Sequence, residues 1–175
     1  AETYDVPVAP WFIVDDLDDA AIVVEAQRVG YPLMVKASAG GGGRGIRRVN
    51  EAASLLNAIG AVKDEVRKIF GQGGVFIEAA VTSARHIEVQ LMVGVDGVAC
   101  ALGVRDCSIQ RRNQKVIEEA PSPVATAAAV ARMCAAAVRL AEGVGYRGAG
   151  TAEFLYAPAD DSVFFLEVNS RLQVE

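Results

Sequence analysis

The sequence predicts a mixed α+β protein built from two lobes. Three observations carry that expectation. A glycine run from Gly40 to Gly45 stands directly behind a short apolar strand, the chain turns from helix-bearing to strand-rich near residue 81, and a polar–apolar ladder closes it from Glu167 to Glu175. At 175 residues there is room for one ordinary domain, or two small lobes, with a substantial core.

In the first lobe, Asp15 or Asp16 can cap a helix that runs to about Arg28 and stops at Gly30. Tyr31-Pro32-Leu33-Met34-Val35 reads as a buried strand that delivers Lys36 to the glycine loop. Four consecutive glycines, Gly40 to Gly43, leave N–H groups free to converge on phosphate oxygens, and Lys36 and Arg44 supply charge at either end. The loop also reads as a flexible turn, since it has neither the Gly-Lys-Ser/Thr ending of a P-loop nor the GxGxxG spacing of a dinucleotide site. Ile46 to Val49 makes a second strand, so the unit suggests a hairpin able to fold over a ligand. Asn50 can cap a helix from about Glu51 to Phe70, ended by Gly71, and Val75 to Glu78 is the next strand.

In the second lobe, His86 to Val93 alternates, placing His86, Glu88 and Gln90 on one strand face and the apolar set toward a core. Asp96-Gly97 turns the chain into a hairpin partner, Val98 to Val104. Arg105 to Lys115 is polar and basic, and Val116 to Pro121 is a short edge strand. Pro123 starts an alanine-rich helix to about Glu142, and glycines from Gly143 to Gly150 break it. Thr151 to Tyr156 and Val163 to Val168 are the last strands, turned through Pro158 to Asp161.

Composition excludes several classes of function. With 17 basic and 22 acidic residues the net charge is -5, which argues against a general nucleic-acid binder. No apolar run is long enough for a membrane helix, and no signal peptide is evident. Cys100, Cys107 and Cys134 are odd in number and unpaired in motif, which fits a reducing, cytoplasmic setting better than a disulfide framework.

Three groups can carry chemistry. Glu153 and Glu167 can face one side from neighbouring strands, with Asn169 two residues on, a set of oxygen donors that suits Mg²⁺ carrying nucleotide phosphates. The same carboxylates also read as solvated strand residues. In the closing ladder, Arg171 can fork onto a small oxyanion and Glu175 can act as a base, or the ladder is an amphipathic surface strand. The run from Arg105 to Lys115 holds four cations in eleven residues and reads either as a local anion site or as a solvated loop. His86, the only histidine, either touches a nucleotide or bonds a neighbour on its strand.

Taken together these residues resemble the biotin carboxylase branch of the ATP-grasp enzymes, found in acetyl-CoA, propionyl-CoA and related acyl-CoA carboxylases and in pyruvate carboxylase. The matching pieces are Gly30 to Lys36, Gly40 to Gly45, Phe76 to Glu78, Arg85 to Gln90, Arg105 to Glu119, Gly148 to Thr151 and Glu167 to Glu175, in order along nearly the whole chain. The resemblance implies an ATP-grasp fold, with a small mobile B lobe at residues 1 to 81. Residues 82 to 175 would form the first part of the larger C-terminal antiparallel-sheet lobe. It implies that Lys36 contacts phosphate while Gly41, Gly42, Gly43, Gly45 and Ile46 cover it, and that the main chain from Glu78 to Val81 meets the adenine. His86, Gln110, Asn113 and Leu155 would complete the nucleotide site, and Glu153, Glu167 and Asn169 would hold Mg²⁺ or Mn²⁺. Arg171, Gln173 and Val174 would position bicarbonate beside Lys115, with Glu175 as the base, so that Lys115, Arg171 and Glu175 are the catalytic set.

The implied reaction is ATP-dependent phosphorylation of bicarbonate followed by carboxylation of biotin on a carrier domain or protein. A carboxyltransferase would be the next partner, and the parent protein would be a homo-oligomer. The chain departs from the pattern at Asn113, where the family commonly has histidine, and at Thr3, near a position where many members carry lysine. It also lacks the family's N-terminal domain and everything beyond Glu175, so the expectation is a fragment that does not turn over biotin alone. Another ATP-grasp ligase, such as carbamoyl phosphate synthetase, and a non-catalytic nucleotide-binding module are the alternatives.

Overall fold

The computed structural model describes residues 1–39, 45–71, 73–112 and 114–173. The expectations placed on Gly41, Gly42, Gly43, Asn113, Val174 and Glu175 therefore lie outside the described residues. The chain divides into two compact units, one of Ala9–Ala80 and one of Ala1–Val8 with Val81–Glu175.

The unit of Ala9–Ala80 is a four-stranded antiparallel sheet with two helices. Strands β1 (Trp11–Ile13), β2 (Leu33–Ala37), β3 (Ile46–Val49) and β4 (Val75–Ala79) lie in the order β1-β4-β2-β3. Helix α2 (Leu55–Phe70) buries Leu55, Ile59, Val62 and Val66, a single stripe at helical spacing, against a core that includes Leu33, Val35 and Ile77. Helix α1 (Asp19–Val29) adds Ile22 and Ala26 to the same core.

Both helix starts differ from expectation. Asp18, not Asp15 or Asp16, caps α1 by accepting a hydrogen bond from Ala21 N at 2.8 Å. Asp15 instead accepts from Val75 N at 3.3 Å, tying the segment before α1 to β4. Asn50 caps nothing, because its Oδ1 accepts from Arg48 Nε at 3.0 Å and a 3-10 turn, Ala52–Ser54, leads into α2. Strand β1 is unforeseen in the sequence, since only Phe12 of its three residues is buried.

The second unit is a five-stranded antiparallel sheet, order β7-β6-β5-β8-β9, with helix α3 (Ala127–Gly143) against it. Its strands are β5 (Arg85–Val93), β6 (Ala99–Arg111), β7 (Gln114–Glu119), β8 (Gly148–Ala157) and β9 (Ser162–Asn169). Ile87, Val89 and Leu91 of β5 join Phe154 and Tyr156 of β8 and Met133 of α3 in one core. Thr126 caps α3 through a 3.0 Å bond from Ala129 N, so the helix starts later than Pro123.

The basic run is not a loop. Its residues through Arg111 extend β6, and Lys115 begins in β7. The first eight residues also belong here: Val6 is buried in this core, Phe165 N donates to Pro7 O at 2.7 Å, and Arg139 Nη2 donates to Asp5 O at 2.6 Å. The other unit accordingly begins at Ala9 and not at residue 1. Among the described residues, no helix is long and apolar enough to cross a membrane.

Candidate functional site

Strand alternation that buries Ile87, Val89 and Leu91 turns His86, Glu88 and Gln90 to the other face of the five-stranded sheet. Register then assembles the site. Arg105 lies opposite Glu88, Glu88 opposite Glu153, and Glu153 opposite Glu167, so one row across four strands carries one cation and three carboxylates. Adjacent like charges in a sheet repel, and such a row persists only if cations or donors are interleaved.

They are. Glu153 Oε1 receives Lys115 Nζ at 3.0 Å and Asn169 Nδ2 at 2.5 Å, and its Oε2 lies 3.0 Å from His86 Nε2. Glu88, fully buried, contacts the same Lys115 ammonium and accepts from Arg105 Nη2 at 3.1 Å. Arg105 Nη1 donates to Gln90 Oε1 at 2.9 Å, and its Nε stands 3.6 Å from Glu118. His86 Nδ1 is 2.9 Å from Gln110 Nε2, which also donates to Cys107 O at 2.8 Å. Gln110 thus fixes the orientation of the imidazole and turns Nε2 toward Glu153.

These partners set the protonation states. Burial pushes the Glu153 carboxyl up, but the hydrogen bonds and charges of His86 and Lys115 outweigh it and hold the group at about 2, ionised at any physiological pH. Burial and the Glu118 charge push the Cys107 thiol up to about 12, so it is an inert neutral group and no nucleophile.

The donor set fits a hard divalent cation. Glu153 is held anionic, Glu167 stands opposite it, Asn169 reaches it, and the buried Thr151 Oγ1, opposite Asn169 in register, has no hydrogen-bond partner among the described residues. A second convergence, unforeseen in the sequence, brings ligand atoms of His86, Glu88 and Glu153 within 4.8 Å of one another, and there the Lys115 ammonium supplies the positive charge.

In the unit of Ala9–Ala80, Lys36 lies near the end of β2 and its Nζ is 2.5 Å from Glu78 Oε1 on β4. Ile46 pairs with Lys36 in register. Gly45 takes a positive φ of 68°; its carbonyl accepts from Ala37 N at 2.9 Å and its N–H donates to Glu65 Oε1 at 3.1 Å. Both backbone groups of Gly45 are therefore engaged within this unit.

Lys115, Glu153, Asn169, His86 and Gln110 are therefore brought together, with Leu155 beside His86 in register and Glu167 beside Glu153. Arg171 is exposed, and its one side-chain hydrogen bond among the described residues goes to Leu172 O at 3.4 Å, while Gln173 is buried. Val81 lies just before β5 and is half-buried. The sequence assigns no role to Glu88 or Arg105. The signal for Glu88 is its place between His86 and Gln90 on a strand otherwise apolar, and Arg105 is hidden in a basic run whose charges look solvated.

Comparison with known proteins bears on this arrangement. The family model described as carbamoyl-phosphate synthase L chain, ATP binding domain, matches residues 1–175. The chain is 42% identical over 172 residues to biotin carboxylase 1 of Bacillus subtilis, covering 97% of this chain and 38% of that protein. It is 45% identical over 163 residues to the propionyl-CoA carboxylase alpha chain of Ruegeria pomeroyi, covering 93% and 24%. The chain thus spans less than two-fifths of these relatives. Among solved structures, a biotin carboxylase complex with β-γ-ATP from Campylobacter jejuni superposes with a TM-score of 0.91 at 39% identity, covering 99% of this chain and 39% of that one. The biotin carboxylase domain of Hydrogenobacter thermophilus 2-oxoglutarate carboxylase, in complex with MgADP and bicarbonate, gives 0.89 at 38% identity, covering 99% and 38%.

Proposed function

The chain belongs to the family of the carbamoyl-phosphate synthase L chain ATP-binding domain, and from that membership we propose that it is the nucleotide-, metal- and bicarbonate-handling portion of a biotin carboxylase. The observation that carries this reading is the row of Glu88, Glu153 and Glu167 with Lys115 and Asn169 interleaved. Nothing in a folded core requires three carboxylates side by side, whereas a polyphosphate with its counter-ion does.

Each residue then has a chemical task. Lys36 and the glycine loop hold phosphate oxygens, and the main chain from Glu78 to Val81 meets the adenine. His86, Gln110, Asn113 and Leu155 hold the nucleoside, with His86 oriented by its bond to Gln110. Glu153, Glu167 and Asn169 hold Mg²⁺ or Mn²⁺, which when bound supplies charge neutralisation to the polyphosphate. Lys115, held between Glu88 and Glu153, presents an ammonium to bicarbonate. Arg171, Gln173 and Val174 complete the bicarbonate site, and Glu175 takes the proton, so the oxyanion formed can attack the terminal phosphorus of ATP. Catalysis of that step is positioning and charge neutralisation.

ADP leaves, and the carboxyphosphate formed breaks down to CO₂ and phosphate. The CO₂ carboxylates N1′ of biotin on a carrier domain or protein, and a carboxyltransferase passes the carboxyl group on. The full-length protein that carries this chain acts as a cytoplasmic ligase and homo-oligomer in this reading. The test is bicarbonate-dependent ATP hydrolysis by that full-length protein, with and without free biotin. Stimulation by biotin supports the proposal. Hydrolysis that responds to ammonia and not to biotin favours the carbamoyl phosphate branch of the family, and no bicarbonate-dependent hydrolysis makes the chain a non-catalytic nucleotide-binding module.

A further inference from the structure

We infer that Glu65 is a positioning residue for the glycine loop, holding its C-terminal end to helix α2. Gly45 is where the described chain resumes after the loop, and it is fixed from two sides. Its carbonyl accepts from Ala37 N at 2.9 Å on β2, and its N–H donates to Glu65 Oε1 at 3.1 Å, twenty residues away. The side chain is excluded there as well: a Cβ on Gly45 would stand 2.8 Å from Ala37 Cβ, and φ is +68°.

Glu65 is well placed for this task. It neighbours Val62 and Val66, which anchor α2 in the core at 0% and 2% exposure, so the helix offers a rigid support for the carboxylate. A bare carboxylate beside a phosphate-binding loop would repel its ligand. Here the second oxygen of Glu65 receives Arg47 Nη2 at 2.7 Å, and Arg47 Nη1 donates to Ile46 O at 2.8 Å. Arg47 therefore neutralises the anchor without loosening it. The carboxylate does double duty that no apolar residue at this position could reproduce.

The consequence for nucleotide binding rests on the phosphate role proposed above for the loop. With Gly45 held between β2 and α2, Lys36 and Ile46 stay in register, so removing the anchor weakens binding without touching any group that contacts phosphate. The experiment is amide hydrogen exchange of Gly45 by NMR, paired with MgATP titration, in this chain and in Glu65→Ala and Glu65→Gln. Glu65→Ala is expected to speed Gly45 exchange by about tenfold and weaken MgATP by about fivefold, the scale of one lost hydrogen bond. Glu65→Gln keeps an acceptor for Gly45 and retains most of both, while Val62 and Val66 amides stay protected in every variant. Unchanged Gly45 exchange in Glu65→Ala, or unchanged MgATP affinity, overturns the inference. If the unmutated chain binds no MgATP, the phosphate reading falls by itself, and Gly45 exchange alone decides whether Glu65 is the anchor.

Discussion

The two units handle charge in opposite ways. In the unit of Ala9–Ala80 the core is apolar among the described residues, and Lys36 and Arg47 each pair with one carboxylate, Lys36 with Glu78 and Arg47 with Glu65. In the other unit charge is built into the sheet: Glu88 is fully buried, Glu153 is 5% exposed, and Arg105, Lys115 and His86 are threaded among them. The difference teaches that the first unit can lose its more exposed pair, Arg47 with Glu65, at little cost to folding. The second cannot, because each charged group there is another's desolvation partner.

Substitution tests this contrast. The largest effect is expected for Glu88→Ala, which removes one buried partner from both Lys115 and Arg105, leaving Glu153 to the first and Gln90 and Glu118 to the second. Stability should fall by about 3 kcal/mol in urea denaturation. A loss of less than about 1 kcal/mol, the range of a surface pair, would erase the distinction between the units. The next effect is on acid stability. The Glu153 carboxyl sits at about 2 in the folded chain against an ordinary 4.5, so its stabilising contribution is complete above about pH 4.5 and drains away as pH falls toward 2. Urea midpoints between pH 6 and pH 3 should therefore fall steeply in the unmutated chain and less steeply in Glu153→Gln; parallel profiles would show that the contacts of Glu153 do not bias its protonation. Smallest is Arg47→Ala, whose side chain is 46% exposed and pairs with Glu65, with an expected cost of about 1 kcal/mol or less. A cost equal to that of Glu88→Ala would mean that the first unit, too, is held together by its ion pairs.

Much of this architecture was legible because side-chain period and glycine stops are local signals. The alternation from His86 to Val93 gave both the core face and the polar face of β5, and Gly30 and Gly71 end their helices where expected. What was hidden depends on pairing distant in sequence. Trp11–Ile13 is too short to show a period and becomes a strand only by pairing with β4. The basic run reads as a local anion site or a solvated loop, whereas Arg105 and Lys115 are strand residues satisfied by Glu88, Glu118 and Glu153 from other elements. Glu65 gave no signal at all, since its partner is a backbone amide twenty residues away.

The central claim is that the carboxylate row is a metal-nucleotide site. It is tested most directly by calorimetric titration of MgATP into this chain and into the double variant Glu153→Gln, Glu167→Gln. The account predicts measurable binding to the unmutated chain and a loss of about 100-fold or more in the variant, as expected when the two anionic ligands of a hard cation are neutralised. Equal binding by both folded chains would contradict it.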